Sequence, residues 1–227
     1  GFVIGSKAYI GTGYDGDGFH TDFWEYDPAR NSWTQKADFP GTARSQAVGF
    51  NSDTKGFVGT GWDGKYRLKD FFQYDPASNA WAPIAEFGGP ARRSAVAMSI
   101  NNKGYVGTGD SVAYFKDFWE YDPSSAVWTK VSSIGGSKRN SAVTFVIGGK
   151  GYVSGGFDNG DYLNDMWRYD PSTDEWAKMR PIANASNEIY DDDYTTIKGT
   201  GKVGFTINGK GYLATGGMTT GIEVWEY

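Results

Sequence analysis

One short motif returns at nearly fixed intervals along this chain of 227 residues. Tyr-Asp-Pro begins at Tyr26, Tyr74, Tyr121 and Tyr169, and a tryptophan follows each tyrosine seven residues later. A constant period is typical of proteins built from repeated supersecondary units, each of which buries its apolar face against the next unit. The repeat therefore constrains the fold more than any other feature of the sequence.

Each repeat contains four segments that favour short strands. A small apolar segment (residues 47–50 in the second repeat) is followed by an aromatic and β-branched segment that ends in glycine (55–61). A third segment alternates, with Phe23 and Glu25 on one face and Trp24 and Tyr26 on the other, and a fourth begins at the tryptophan. Four strands in about 48 residues, with glycine and aromatic motifs in every unit, predict an all-β propeller.

The details of the repeat resemble the Kelch family. A glycine pair ends the second strand of the fourth repeat, at Gly155-Gly156, and the first three repeats have Thr-Gly instead. The segment Gly-Thr-Gly, followed later by Asp-Phe-Trp-Glu-Tyr-Asp-Pro, resembles the repeats of bacterial Kelch proteins, which are often exported. The resemblance covers essentially the whole chain and implies a single Kelch-type β-propeller domain over residues 1–227.

The number of blades is not whole. We place the blades at residues 1–40, 41–88, 89–135, 136–183 and 184–227, the last of them incomplete. Gly1-Phe2 aligns with Gly49-Phe50, and the sequence stops in a third strand, so about four and a half blades are visible. Because an open edge strand invites aggregation, we expect this segment to belong to a ring of six or so blades. A five-bladed ring closed by a strand from a partner is the alternative.

Composition excludes several classes of chemistry. The chain has no cysteine and a single histidine, His20, which rules out disulfides, thiolate catalysis and the copper site of galactose oxidase, a protein with Kelch blades. The net charge of −5 argues against nucleic acid as a partner. There is no apolar run of membrane-spanning length, and no signal peptide is visible in this segment. We expect no cofactor and no catalytic residues.

Arginine recurs at the connection into each first strand, at Arg44, Arg92 and Arg139. In a meandering four-stranded blade, this connection emerges on the same face as the loop between the second and third strands. The resemblance implies that such arginines ring the channel mouth and bind acidic ligands. A repeated salt bridge with a neighbouring blade is the alternative.

The loops between the second and third strands carry an aromatic residue followed by aspartate. The pairs are Tyr14-Asp15, Trp62-Asp63 and Phe157-Asp158, whereas the third blade has Asp110-Ser111. Trp62 is a candidate for stacking on a sugar or a protein partner, and packing on its own loop is the alternative. By contrast, aspartates that recur in every blade (Asp22, Asp70, Asp117 and Asp165) are expected to bond turn amides and to be structural.

The largest departure from the repeat is an insertion before Lys210. It includes the acidic run Tyr190, Asp191, Asp192 and Asp193, which we add to the candidate binding face. Asp191 and Asp193 are a possible Ca²⁺ site, because Ca²⁺ prefers carboxylate oxygens from loops. A solvated acidic loop, or one that pairs with the arginines, is the alternative.

These features favour a non-catalytic binding or scaffold module that mediates protein–protein interaction. The resemblance implies an exported or surface-associated bacterial protein in the periplasm, at the outer-membrane surface or outside the cell. The alternative is a glycan-binding or sialic-acid-epimerase-like Kelch protein that acts on acidic sugars.

Overall fold

A computed structural model describes residues 1–180, 200–214 and 224–227. All regular elements within these ranges are strands, and no helix occurs among them. In the first two sheets the strands are β1 (Phe2–Ile4), β2 (Lys7–Tyr14), β3 (Phe19–Asp27), β4 (Ser32–Gln35), β5 (Val48–Asn51), β6 (Gly56–Gly59), β7 (Phe71–Asp75) and β8 (Ala80–Pro83). In the third sheet they are β9 (Val96–Ile100), β10 (Lys103–Gly107), β11 (Phe118–Asp122) and β12 (Val127–Val131).

The remaining strands form the last two sheets and one small hairpin. They are β13 (Val143–Ile147), β14 (Lys150–Ser154), β15 (Phe157–Asp158), β16 (Asp161–Tyr162), β17 (Met166–Asp170), β18 (Glu175–Met179), β19 (Val203–Ile207), β20 (Lys210–Ala214) and β21 (Val224–Glu226). Four sheets are four-stranded antiparallel meanders, and a fifth has three described strands in the order β19-β20-β21. The hairpin β15–β16 lies in the loop between β14 and β17.

The sheets follow one another as the blades of a propeller. The first strands of successive blades (β1, β5, β9, β13 and β19) are in contact with each other, so they line the axis. This arrangement confirms the all-β propeller that the repeat predicts. The number of blades in a closed ring stays a prediction.

Close packing between blades depends on a glycine in each second strand. A methyl group on Gly104 would lie 2.2 Å from the ring of Phe50 in the preceding blade. Gly56 faces Phe2 and Gly211 faces Phe145 in the same way, at 2.1 and 2.4 Å, while Gly151 faces the sulfur of Met98 at 2.4 Å. Phe2 of β1 and the third residue of β5, β9 and β13 therefore lie against the bare backbone of the next blade.

The recurring tryptophans join each blade to the one before it. The indole N–H groups of Trp81, Trp128 and Trp176 donate to backbone carbonyls of the preceding blade at 2.9, 3.1 and 2.8 Å. Their rings also pack on a phenylalanine of that blade, as Trp176 does on Phe118 at 4.8 Å. These three tryptophans are partly buried, whereas Trp33 in the first blade is 55 % exposed.

An asparagine or aspartate in the turn between the third and fourth strands of a blade forms a second link between blades. Asn79 adopts φ 50° and accepts hydrogen bonds from the hydroxyl of Tyr74 and from the backbone N–H of Ala37 in the preceding blade, both at 2.9 Å. Asp174 makes the equivalent bonds in the fourth blade, from Tyr169 and Ser132. The third blade has Ala126 at this position, with φ 56°, so it lacks the side-chain acceptor.

Candidate functional site

The recurring arginines are interior residues. Arg44, Arg92 and Arg139 are all 0 % exposed. The guanidinium of Arg92 donates two parallel bonds to Asp117, at 2.8 and 2.9 Å, and further bonds to the carbonyls of Thr108 and Pro90. Arg44 with Asp70 and Arg139 with Asp165 repeat this pattern. The expectation that these arginines ring an open channel mouth is therefore wrong, because their donors are already used inside the fold.

The alternative, a repeated salt bridge with a neighbouring blade, is right about the salt bridge and wrong about the blade. Each arginine pairs with an aspartate of its own blade, and its backbone carbonyl makes the link to the neighbour: Gly61 N–H in the second blade donates to Arg92 O in the third at 2.8 Å. The recurring aspartates are structural, as expected, but their partners are guanidinium and indole groups instead of turn amides. Asp117 and Asp165, for example, also accept from Trp119 and Trp167.

These ion pairs change the titration of the aspartates. Burial alone would raise the pKa of Asp117, but the hydrogen bonds and the charge of Arg92 outweigh it and lower the pKa below the ordinary value. The pKa of Asp165 is lowered in the same way, with Arg139 outweighing burial. Both carboxylates are therefore held ionised at neutral pH.

The residues that differ between blades lie next to these buried arginines. The residue after each recurring arginine forms an antiparallel bridge with the first residue of the loop between the second and third strands. The pairs are Ser45–Trp62, Arg93–Asp110 and Asn140–Phe157. A second set of bridges places Arg67 opposite Trp62 and Tyr114 opposite Asp110. We call the surface formed by Tyr14, Trp62, Tyr66, Arg67, Arg93, Asp110, Val112, Asn140 and Phe157 the loop face.

A charged cluster from three blades lies on the loop face. Arg93 Nε is 3.2 Å and Arg67 Nη2 is 3.9 Å from the same carboxylate oxygen of Asp110. The other oxygen accepts a hydrogen bond of 2.9 Å from the side chain of Asn140. Two guanidinium groups thus share one carboxylate, which leaves a local positive charge in a chain whose net charge is −5.

The two arginines of this cluster are more exposed to solvent than the recurring arginines Arg44, Arg92 and Arg139. The side chains of Arg67 and Arg93 are 33 % and 27 % exposed. The Nε atom of Arg67 is itself buried and has no hydrogen-bond partner among the described residues, so the exposed donors of this side chain are those of its Nη atoms. Since a guanidinium has five N–H donors, the pair retains donors for an oxygen-rich anion.

Trp62 is held between neighbouring blades instead of standing free. The guanidinium carbon of Arg93 lies 5.0 Å from the ring centroid of Trp62, and Phe19 meets the ring edge-on at 5.5 Å. Tyr14 packs on Phe19 at 4.9 Å, which extends the aromatic row across the first blade. Trp62 is therefore half-buried, packed on side chains of other blades more than on its own loop.

The aspartates of the aromatic–Asp pairs organise their loops. Asp15 accepts from the backbone N–H groups of Asp17 and Gly18, both at 2.9 Å, and Asp63 accepts from those of Lys65 and Tyr66. The backbone bonds from Gly18 and Asp17, with a smaller contribution from His20 at 2.8 Å, lower the pKa of Asp15 to about 2. The pKa of Asp63 is lowered for the same backbone reason. The carboxylates of Asp15 and Asp63 therefore fix the conformation of their loops. Asp158 lies opposite Asp161 in the backbone register of the β15–β16 hairpin.

The loop tips carry exposed apolar side chains. Tyr14 in the first blade is 56 % exposed and Tyr66 in the second is 58 % exposed, and Val112 in the third is fully exposed. They lie at the corresponding loop of three successive blades. Single exposed apolar residues are common, but their repetition on one face is typical of a contact surface.

Comparison with known proteins now identifies the fold family. The model of the KLHDC2/KLHL20/DRC7 Kelch-repeats domain matches residues 88–210, which is 123 of the 227 residues. The chain belongs to the Kelch-repeat family. Among solved structures, this Kelch chain is similar to the structure of YjhT, with a TM-score of 0.73 and 20 % sequence identity. The match covers 93 % of this chain and 70 % of the YjhT chain. No curated protein matches the sequence.

The Kelch assignment is consistent with a protein-binding module. Within the described part of the chain, no group of three or more metal-ligating side chains comes together. Over the same residues, no helix is long and apolar enough to cross a bilayer. The acidic run Tyr190, Asp191, Asp192 and Asp193, with its possible Ca²⁺ site, lies outside the described residues.

Sequence reasoning missed Arg67, Arg93, Tyr66 and Val112. A signal for two of them was present in the repeat. Arg67 occupies the position that is aromatic in the other blades, at Phe19, Tyr114 and Tyr162. Arg93 follows the recurring Arg92, where the second blade has Ser45 and the fourth has Asn140. Aligning the blades position by position would have separated each of these residues from the recurring ones.

Proposed function

We propose that this Kelch propeller is a non-catalytic binding module whose loop face binds an acidic segment of a protein partner. The observation that carries the proposal is the sharing of Asp110 by Arg67 and Arg93, which leaves a positively charged, partly exposed pair. A carboxylate of the partner completes this pair as a charge-assisted hydrogen-bond acceptor.

The exposed tips favour a macromolecule over a small ligand. Tyr14, Tyr66 and Val112 belong to three different blades, so an occupant that touches all of them spans several loops. Tyrosine, tryptophan and arginine are also the residues that dominate binding energy in protein interfaces. The face thus combines exposed apolar tips with a positively charged pair.

The direct test uses fluorescein-labelled hexaglutamate and measures its anisotropy as the untagged protein is titrated in. We expect binding that weakens as salt is added, because the contact is partly exposed and electrostatic. Arg93→Ser, which places the residue of the second blade at this position, should weaken binding by about tenfold or more, equivalent to about 1.4 kcal/mol.

Arg30→Ser is the matched control. Arg30 is exposed, lies at the β3–β4 turn and carries the same charge as Arg93. Equal affinity for the wild type, Arg93→Ser and Arg30→Ser would contradict the proposed site, as would the absence of binding at low salt.

An acidic sugar is the second candidate ligand, and the contact between Arg93 and Trp62 favours it. A cation beside an aromatic ring provides both a carboxylate partner and an apolar surface for a sugar ring. Saturation-transfer NMR with N-acetylneuraminic acid tests this candidate. A signal that Trp62→Ala abolishes would favour the sugar, and binding of hexaglutamate alone would favour the protein partner.

The proposal also includes an exported or surface-associated bacterial setting, which the sequence resemblance supports. Protease treatment of intact source cells, followed by immunoblotting, tests it. Degradation without cell lysis supports a surface location, and fractionation with the periplasm or culture medium supports export. Recovery only with the cytoplasm contradicts this part of the proposal.

A further inference from the structure

Two buried hydroxyl groups lack a partner in the part of the propeller that the structure describes. Thr60 and Thr108 are both 0 % exposed, and their Oγ1 atoms have no hydrogen-bond partner among the described residues. They occupy equivalent positions in the second and third blades, directly after the last residue of β6 and β10. Because a buried hydroxyl without a partner is unfavourable, each of these positions requires an explanation.

The backbone at these positions is also unusual. Thr60 and Thr108 both have φ 58°, and Thr12 repeats this conformation at φ 60° in the first blade. A β-branched residue rarely adopts positive φ, whereas glycine does so easily. The fourth blade has Gly155 at the same position, with φ 65°. Threonine is thus used where glycine fits the backbone better, which points to a role for the side chain.

The backbone atoms of the two threonines are already bonded. Thr60 N–H donates to Asp70 O at 3.2 Å, and Thr60 O accepts from Arg44 Nη1 at 3.0 Å. Thr108 makes the same bonds with Asp117 and Arg92. The hydroxyl is therefore the unsatisfied group in an otherwise fully bonded unit.

We propose that each of these hydroxyls binds one interior water molecule, so that the second and third blades each contain a hydration site beside the buried arginine. Buried waters in proteins typically bond polar groups that have no other partner. A metal cation is the wrong ligand, because each site adjoins a guanidinium that donates to the same threonine's carbonyl. The fourth blade, with Gly155, provides the internal control and holds no such water.

A crystal structure of this chain at a resolution that resolves ordered water tests the proposal directly. We expect a water oxygen at about 2.5–3.0 Å from Oγ1 of Thr60 and of Thr108. Thr60→Ser should retain the first water, while Thr60→Val and Thr60→Gly should lose it and leave the site at Thr108 occupied. A dry hydroxyl, or one bonded to a protein group, overturns the proposal.

Solution measurements give a second readout that does not depend on crystals. Oxygen-17 relaxation dispersion should show one fewer long-lived water in Thr60→Val than in the wild type, with no change in Thr129→Val, an exposed control. Thr60→Val should also lower Tm by roughly 2–4 °C if the hydroxyl binds water. If the hydroxyl is dry, its removal relieves an unsatisfied group and Tm rises, which contradicts the proposal.

Discussion

Arg92 and Arg93 are neighbours in sequence and opposites in structure. Arg92 is fully buried between the rings of Phe87 and Phe115, at 4.7 and 4.3 Å, and all of its charge is matched by Asp117. The side chain of Arg93 is 27 % exposed, and it shares its carboxylate with a second arginine. The first recurs in three blades and builds each of them, whereas the second occurs once and lies on the loop face.

The contrast between Arg92 and Arg93 shows how recurring and unique residues of a repeat protein differ in role. A residue that every blade contains satisfies a requirement that every blade has, which is folding. Function is specific to the whole ring, so it is carried by positions at which the blades differ. The recurring arginines looked functional because they were charged and regularly spaced, and this same regularity marks them as structural.

Replacing Arg92 should have the largest effect on stability. Arg92→Ala leaves the part-buried carboxylate of Asp117 without its ion-pair partner and removes the donor of two backbone carbonyls, so we expect a loss of about 3–5 kcal/mol in the free energy of unfolding. Chemical denaturation monitored by tryptophan fluorescence measures it. Arg92→Lys should recover little of the loss, because an ammonium cannot make the two parallel bonds. A change below about 1 kcal/mol for Arg92→Ala would remove the distinction between the two arginines.

Asp117→Asn should destabilise the protein by about 1.5–3 kcal/mol, because a bond to a charged partner is replaced by a weaker one. It should also change the pH dependence. The folded pKa of Asp117 lies below its unfolded value, so its stabilising contribution is present above the unfolded pKa and is lost as pH falls through the folded pKa. We expect the acid-side slope of stability against pH, measured below about pH 5, to be shallower in Asp117→Asn. An unchanged slope contradicts this account.

Restoring a recurring residue should stabilise the third blade. Ala126→Asn places the residue of the first two blades at a position with φ 56°, where Tyr121 and Ala85 are the repeat equivalents of Tyr74 and Ala37, the donors that bond Asn79. The new bonds should add about 1 kcal/mol, or about 2–4 °C in Tm by differential scanning calorimetry. Ala29→Asn, at an exposed turn position, is the control and should change Tm by less. Equal Tm values for both variants would show that the link between blades contributes nothing.

Arg93→Ser should have the smallest effect on stability, within about 0.5 kcal/mol of the wild type, because its ion pair is partly exposed. Denaturation curves of Arg93→Ser and Arg92→Ala, recorded side by side, make the comparison quantitative. A loss of several kcal/mol in Arg93→Ser would place Arg93 with the structural arginines after all.

Much of the fold could be predicted from the sequence, because strand positions follow from local patterns. The period of 47 or 48 residues and the alternation at Phe23 to Tyr26 match the strands of the structure, whereas β6 and β14 end two residues before the predicted Gly61 and Gly156. The direction of a side chain does not follow from spacing. The side chain of Arg92 is buried because its guanidinium pairs with Asp117, 25 residues later, which directly precedes the third strand of the same blade.

The charged cluster was beyond a repeat-based analysis for another reason. Arg67, Arg93 and Asn140 come from three different blades and meet only at Asp110 because the blades curve around a common axis. Their sequence separation gives no sign of this contact. The departures from the repeat at Arg67 and Arg93 were visible, but a departure alone does not say which residues converge.

The contact between Phe50 and Gly104 has an evolutionary consequence. Each blade from the second to the fourth presents a bulky side chain on one flank and a bare glycine backbone on the other, so two copies of one such gene segment fit together when they are joined in tandem. Lengthening or shortening the array by unequal recombination preserves every internal boundary. Sequence drift within a blade is then restricted mainly by its two flanks, which leaves the loops free to diverge and acquire new specificities.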